Sequence, residues 1–306
     1  MGTPPFAGTV LEALLAGPDP VVGVVCQPDR PRGRGLVRTA PAVKPLAQRA
    51  GLPVLQPERL RDPAFMDALQ ALAPDVIVVA AYGKILPCVI LDLPSRGCIN
   101  VHASLLPRHR GAAPVVWAIL SGDTLTGVTI MAMTEEMDAG DILLQRQVPI
   151  DPEETGGALT ARLASVGGEA VGATIAALQA GTLRPTPQPA AGVTFAPRIT
   201  REQCLIDWGR SATEIARQVR ALAPTPSAFT TLDGRLLKVH RAAAERGVAH
   251  ARPGCILQAR REGIEVATGD GVLRLLEVQL EGKRRVTAAE YLAGHLLAPG
   301  TCLGAA

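Results

Sequence analysis

The chain has 306 residues, of which 47% are apolar, 19% charged and 3% aromatic, with a net charge of +3. That length predicts two domains, each able to bury a core, and the apolar fraction excludes a disordered chain. No apolar run, Val76 to Ala81 included, reaches the roughly 18 residues of a membrane span.

No signal-peptide pattern opens the chain, and Phe6 stands where a myristoylation motif needs Ser or Thr. Cys26, Cys88, Cys98, Cys204, Cys255 and Cys302 show no Cys-x-x-Cys spacing. Structural zinc and a disulfide framework are therefore not expected, and a reducing cytoplasm is. Residues 1–199 hold 16 Lys plus Arg against 17 Asp plus Glu, and residues 200–306 hold 15 against 11. A basic C-terminal third suits a polyanionic partner, although a solvated surface reads the same way. Arg outnumbers Lys 27 to 4, which base composition also explains.

In chain order, helical stretches are predicted near 9–16, 41–50, 64–72 and 114–121. Buried strands are predicted at Val21 to Val25, Val76 to Ala81 and Gly97 to Val101. Continuous apolar runs of this kind mark parallel strands covered on both faces. Strands alternating with helices mean an open α/β sheet. A longer helix is expected from Thr155 to Leu178, weakened by Gly167, Gly168 and Gly172. Residues 183–198 carry four prolines and read as a linker. After a helix near 211–222, short strands flank Asp233-Gly234 and Gly269-Asp270-Gly271, which are hairpin cues. The organisation predicted is an α/β domain over 1–182, a linker over 183–199, and a β-barrel of oligonucleotide-binding type over 200–306.

Three segments can carry chemistry. Asn100 and His102 lie two apart at the end of a predicted strand, so they share one face. That end is where ligands bind in open α/β sheets. An imidazole and a carboxamide there suit a developing oxyanion, and two hydrogen-bonded structural polar residues would look the same. Asp138-Ala139-Gly140-Asp141 places an acid near the sheet edge, able to orient an imidazole, or is an ordinary turn. No His-x-x-x-His or Glu-flanked spacing accompanies them, so no metal is expected. Gln27 to Arg38 holds four arginines, two glycines and two prolines and is expected to be a mobile basic loop. It is either solvated or ordered by a phosphate backbone. Gly33-x-Gly35 lacks the third glycine of a dinucleotide fingerprint.

The run Cys98-Ile99-Asn100-Val101-His102-Ala103-Ser104-Leu105-Leu106-Pro107-Arg108-His109-Arg110-Gly111-Ala112-Ala113-Pro114 resembles the central motif of the methionyl-tRNA formyltransferase family. So do Gly2 to Ala7, Gln27 to Pro31 with Gly33-Arg34-Gly35, Tyr82 to Pro87, Met137 to Asp141, Ile206-Asp207-Trp208 and Ala267 to Gly271. Asn100-x-His102 with Asp141 is similar to folate-dependent formyltransferases in general. The Arg-Gly-Ala-Ala-Pro run and the C-terminal third narrow the resemblance to enzymes acting on tRNA.

The resemblance implies a Rossmann-like, parallel-rich sheet joined to the barrel, with catalytic Asn100, His102 and Asp141 and with Asp138 in support. It implies folate contacts from Ser104, Leu105, Leu106 and Pro107, and tRNA contact from the 27–41 loop through Arg34. The implied reaction moves the formyl group of 10-formyltetrahydrofolate to the α-amine of methionine on initiator tRNA, without a metal. A monomer is expected. Rival readings are formyl transfer to a glycinamide ribonucleotide or an amino-sugar nucleotide, formyltetrahydrofolate hydrolysis, and an inactive nucleic-acid-binding module. Two departures stand out. Ala223-Pro224-Thr225-Pro226 lacks an aromatic residue the family carries there. The family's first strand, which would precede Gly2-Thr3-Pro4, is missing, so about six to ten further residues are expected ahead of Met1.

Overall fold

The computed structural model describes residues 1–32, 37–245, 247 and 251–304. The chain forms two compact units. One comprises Met1–Pro114, Leu125–Pro149 and Thr160–Pro197, and the other Val115–Thr124, Ile150–Leu159 and Arg198–Ala306. The proline-rich stretch thus belongs to the first unit up to Pro197, and two short earlier segments belong to the second.

The first unit opens with α1 (Pro5–Leu15), whose proline at the first turn costs no hydrogen bond. Its Phe6, Ala7, Val10 and Leu11 recur at helical spacing and are buried. There follow β1 (Val24–Val25), the hairpin strands β2 (Arg30–Arg32) and β3 (Val37–Thr39), α2 (Val43–Arg49) and β4 (Val54–Leu55). Next come α3 (Pro63–Ala71), capped by the Asp62 carboxylate accepting from Ala64 N, then β5 (Ile77–Val79), α4 (Cys88–Leu91) and β6 (Cys98–His102). The chain continues through α5 (Pro114–Leu120), β7 (Leu125–Ala132), β8 (Ile142–Pro149) and α6 (Gly156–Gln179).

β1 pairs with β4, and β5 with β6, in parallel, as the apolar runs imply. β6–β7 and β7–β8 are antiparallel, so the sheet is mixed. The turn between β7 and β8 is a long loop, 133–141, without the two-residue signature that reveals a hairpin in sequence. One apolar core gathers Val25, Phe65, Leu69, Ile77, Val79, Tyr82 and Ile90. The glycines of α6 are explained by close approach. A Cβ on Gly167 would lie 2.8 Å from Val101 Cγ1, and one on Gly168 2.6 Å from Ala13 Cβ. They let the helix settle on β6 and α1.

Met1–Gly2 runs between β1 and β5. Gly2 N donates to Val25 O at 3.0 Å, and Met1 O accepts from Ala80 N at 2.9 Å. A cavity of about 360 Å3 adjoins them, lined by Val22, Val24, Leu69, Leu72, Val76 and Val78 among others.

The second unit continues with α7 (Ala212–Leu222), started by a capping box in which Ser211 and Glu214 satisfy each other's backbone N–H. It adds β9 (Ala228–Leu232), β10 (Arg235–Glu245), β11 (Ile256–Arg260), β12 (Gly263–Ala267), β13 (Val272–Leu280), β14 (Val286–Thr287) and α8 (Ala288–Leu292). The antiparallel order is β11-β12-β13-β10-β9, with β14 on β13. Among the described residues β11 and β9 do not pair with each other, so this barrel-like sheet is not closed. The Asp233-Gly234 turn joins β9 to β10 with both residues at positive φ, 49° and 71°, as a two-residue hairpin turn requires. Ile215, Leu222, Leu237, Val239, Ile264, Leu273 and Leu275 form the core, and Trp208 Nε1 donates to Thr230 Oγ1 at 3.1 Å.

Contrary to expectation, Cys255 and Cys302 form a disulfide. They face each other across an antiparallel bridge, 47 residues apart. Such pairing depends on the fold and leaves no short-range spacing to read. Among the described residues, no helix is long and apolar enough to cross a membrane.

Candidate active site

β6 is flanked by β5 and β7, and its pleat places Asn100 and His102 on one face. His102 is 5% exposed. Its Nε2 lies 2.9 Å from the His109 carbonyl oxygen. A carbonyl only accepts, so Nε2 carries a proton. Its Nδ1 lies 3.6 Å from Asp138 Oδ2. Asp138 Oδ1 accepts from Asn100 Nδ2 at 3.4 Å, and Oδ2 from Gly111 N at 2.8 Å. One carboxylate therefore meets the amide, the imidazole and a backbone N–H together.

The resemblance gives that position to Asp141, with Asp138 in support; in the structure it is the Asp138 carboxylate that faces Asn100 and His102. Asp138 has a positive φ of 51°, which turns its side chain back toward β6. Asp141 immediately precedes β8, where its carbonyl accepts from Ala132 N at 2.9 Å. Among the described residues its carboxylate makes no hydrogen bond or ion pair. His109 is likewise left-handed, with φ 59°. Two non-glycine residues held in this sparsely populated region within one constellation fit a functional site.

The segment Ser104 to Pro107 is pinned from below. Thr129 Oγ1 donates to Ser104 O at 2.7 Å and accepts from Leu106 N at 3.1 Å, while Gln145 Nε2 donates to Leu106 O at 2.9 Å. Ser104 and Leu106 are buried, Ser104 Oγ donating to Arg108 O at 2.7 Å, and Leu105 and Pro107 are half-buried. Any ligand there meets Leu105, Pro107 and backbone rather than the Ser104 hydroxyl. Nearby, the Cys88 thiol bonds the Glu135 carboxylate, linking α4 to the loop that bears Asp138. That bond pushes the thiol pKa up. Burial pushes the thiols of Cys26 and Cys98 up to about 11 and about 12, which leaves them inert as nucleophiles.

Arg34 lies outside the described residues. The hairpin that leads to it is rooted at Asp29, which bonds Lys44 Nζ at 2.8 Å and Gln56 Nε2 at 2.8 Å. The Gln56 and Lys44 hydrogen bonds hold the Asp29 carboxyl below its ordinary pKa. Gln188, which sequence reading leaves in the linker, donates from Nε2 to the Asp138 and Gly140 carbonyls, both at 2.8 Å. Its proline-rich surroundings gave no signal of a site residue.

Residues 1–175 match the family model described as "Formyl transferase", and residues 198–296 that described as "Formyl transferase, C-terminal domain". A methionyl-tRNA formyltransferase of Myxococcus xanthus is 52% identical over 98% of this chain and 96% of its own. One from Desulfotalea psychrophila is 50% identical over 99% and 94%. Among solved structures, an N-formyltransferase from Helicobacter canadensis, in complex with folinic acid and dTDP-3-aminofucose, matches with TM-score 0.66. It is 17% identical over 90% of this chain and 97% of that one. Aquifex aeolicus HypX in complex with tetrahydrofolic acid matches with TM-score 0.62 and 20% identity, over 88% of this chain and 46% of HypX. These last two establish a shared fold. With both family models matched and relatives near half identical end to end, the chain belongs to the formyl transferase family.

Proposed function

We propose that Asn100, His102 and Asp138 carry the transfer of a formyl group from N10 of 10-formyltetrahydrofolate to the α-amine of methionine on initiator tRNA. The observation that carries this reading is the single carboxylate of Asp138 joining the Asn100 amide, the His102 imidazole and Gly111 N. The donor supplies an activated formyl group and its own leaving nitrogen. The methionine amine forms the new C–N bond at the formyl carbon, and the bond to N10 breaks as a proton passes from the amine to N10. Between these events an oxyanion develops on the formyl oxygen. One N–H of Asn100 Nδ2 is directed to Asp138, which leaves the second to bond that oxyanion. Asp138 faces Nδ1 and orients the imidazole, which relays the proton to N10 when Nε2 exchanges the His109 carbonyl for the substrate.

The residues suit a folate. Ile85, Val89 and Met137 are 76%, 54% and 60% exposed, an unusual display of apolar surface around α4 and the 133–141 loop, which Cys88 and Glu135 join. A planar ring would cover such a surface. Leu105 and Pro107 would add to it. Arg34 and the basic residues after 200 take the tRNA. The reading carries with it the expectation of a monomer acting where initiator tRNA is charged, in the cytoplasm.

The test is turnover of 10-formyltetrahydrofolate with charged initiator tRNA, uncharged tRNA, an amino-sugar nucleotide, or no acceptor. Formyl-methionyl-tRNA formed only with the charged tRNA is expected. Formate release without acceptor, or formylation of the sugar alone, would overturn the reading.

A further inference from the structure

The stretch read as an interdomain linker is built into the catalytic unit. Ile142 N donates to Thr186 O at 2.8 Å, and Thr186 N to Ile142 O at 2.9 Å. Further on, Arg110 N donates to Thr194 O at 2.9 Å, Ala196 N to Arg110 O at 2.7 Å, and Ala113 N to Ala196 O at 3.0 Å. Gly111 is required here, since a Cβ on it would lie 2.7 Å from Ala196 O. Between these two anchors, Pro187 and Pro189 are exposed and Gln188 is turned inward, half-buried.

The Gln188 side chain uses its whole hydrogen-bonding capacity. Oε1 accepts from Arg110 Nε at 3.1 Å and from a terminal Arg110 nitrogen at 2.8 Å. Nε2 donates to the carbonyls of Asp138 and Gly140. Those partners lie on the two loops that meet at His102. One carries Asp138. The other carries the His109 carbonyl that fixes Nε2 and the Gly111 N–H that fixes the carboxylate. Only a primary amide both donates to two carbonyls and accepts from a guanidinium. A carboxylate would repel the carbonyls, and a truncated side chain would leave them without their donor.

We propose that Gln188 is a positioning residue for formyl transfer, its amide holding the Asp138 and Arg110 loops in register so that the Asp138 carboxylate meets His102. This rests on the function proposed above.

The test uses the full chain with Gln188→Ala and Gln188→Glu, assayed with 10-formyltetrahydrofolate and charged initiator tRNA. Both should lower kcat on the order of 10- to 100-fold, the scale of a small misplacement of catalytic groups, with KM for either substrate unchanged. In an Asp138→Ala background, Gln188→Ala should lower kcat no further. Wild-type kcat in both single variants would overturn the proposal. So would an equal loss in the Asp138→Ala background, or a rise in KM matching the fall in kcat, since those mark a merely structural residue. An inactive wild-type chain in the same assay would instead overturn the functional reading.

Discussion

The imidazole of His102 is held at both nitrogens, by the His109 carbonyl at Nε2 and by the Asp138 carboxylate facing Nδ1. Its orientation therefore needs no substrate to set it, and loss of either it or Asn100 removes a preorganised group rather than a mobile one. His102→Ala and Asn100→Ala should each lower kcat on the order of 10²-fold or more while keeping the fold. Steady-state kinetics beside a melting curve checks this, and near-wild-type kcat in His102→Ala would contradict it. Both residues were legible in the sequence because strand alternation dictates which side chains share a face. Asp138 was not, because a left-handed loop residue points where local sequence does not say. Gln188 was hidden further, since its partners are distant in sequence and its neighbours read as linker.

Elements whose period and punctuation agree were readable: α7, the β9–β10 hairpin with Asp233-Gly234, and the apolar run of β6. α6 ran against propensity at Gly167 and Gly168 because tertiary packing demanded small residues there. The pair β7–β8 lacked a short turn to announce it. The basic hairpin of β2 and β3 is rooted through Asp29, Lys44 and Gln56, away from the Asn100–His102–Asp138 constellation in its hydrogen bonds. The arm should therefore act on tRNA and not on the donor. Arg34→Ala should weaken formylation of charged tRNA and leave 10-formyltetrahydrofolate affinity unchanged, measured by KM for tRNA and by titration of the folate. An equal fall in folate affinity would place the arm in the donor site.

At the scale of the whole molecule, Met1–Gly2 bridges β1 and β5 through Gly2 N to Val25 O and Ala80 N to Met1 O, beside a cavity of about 360 Å3. The Met1 ammonium is buried, donating to Val78 O at 2.6 Å, and desolvation lowers its pKa to about 6 from 8.0. The unfolded chain protonates this amine below about pH 8, whereas the folded chain resists until about pH 6. The desolvation penalty is thus absent above pH 8 and fully present below about pH 6, a loss of about 3 kcal/mol. Melting temperature of the 306-residue chain should drop across that window. A pH-independent Tm would contradict the burial of this amine.

The claim on which the chemistry turns is that Asp138, not Asp141, is the carboxylate that works with His102. Asp138→Asn and Asp141→Asn, compared by single-turnover formyl transfer to charged initiator tRNA at saturating donor, test it directly. The geometry requires a rate on the order of 10²-fold lower in Asp138→Asn, with Asp141→Asn within a few-fold of wild type. The reverse order, or equal losses in both, would contradict it.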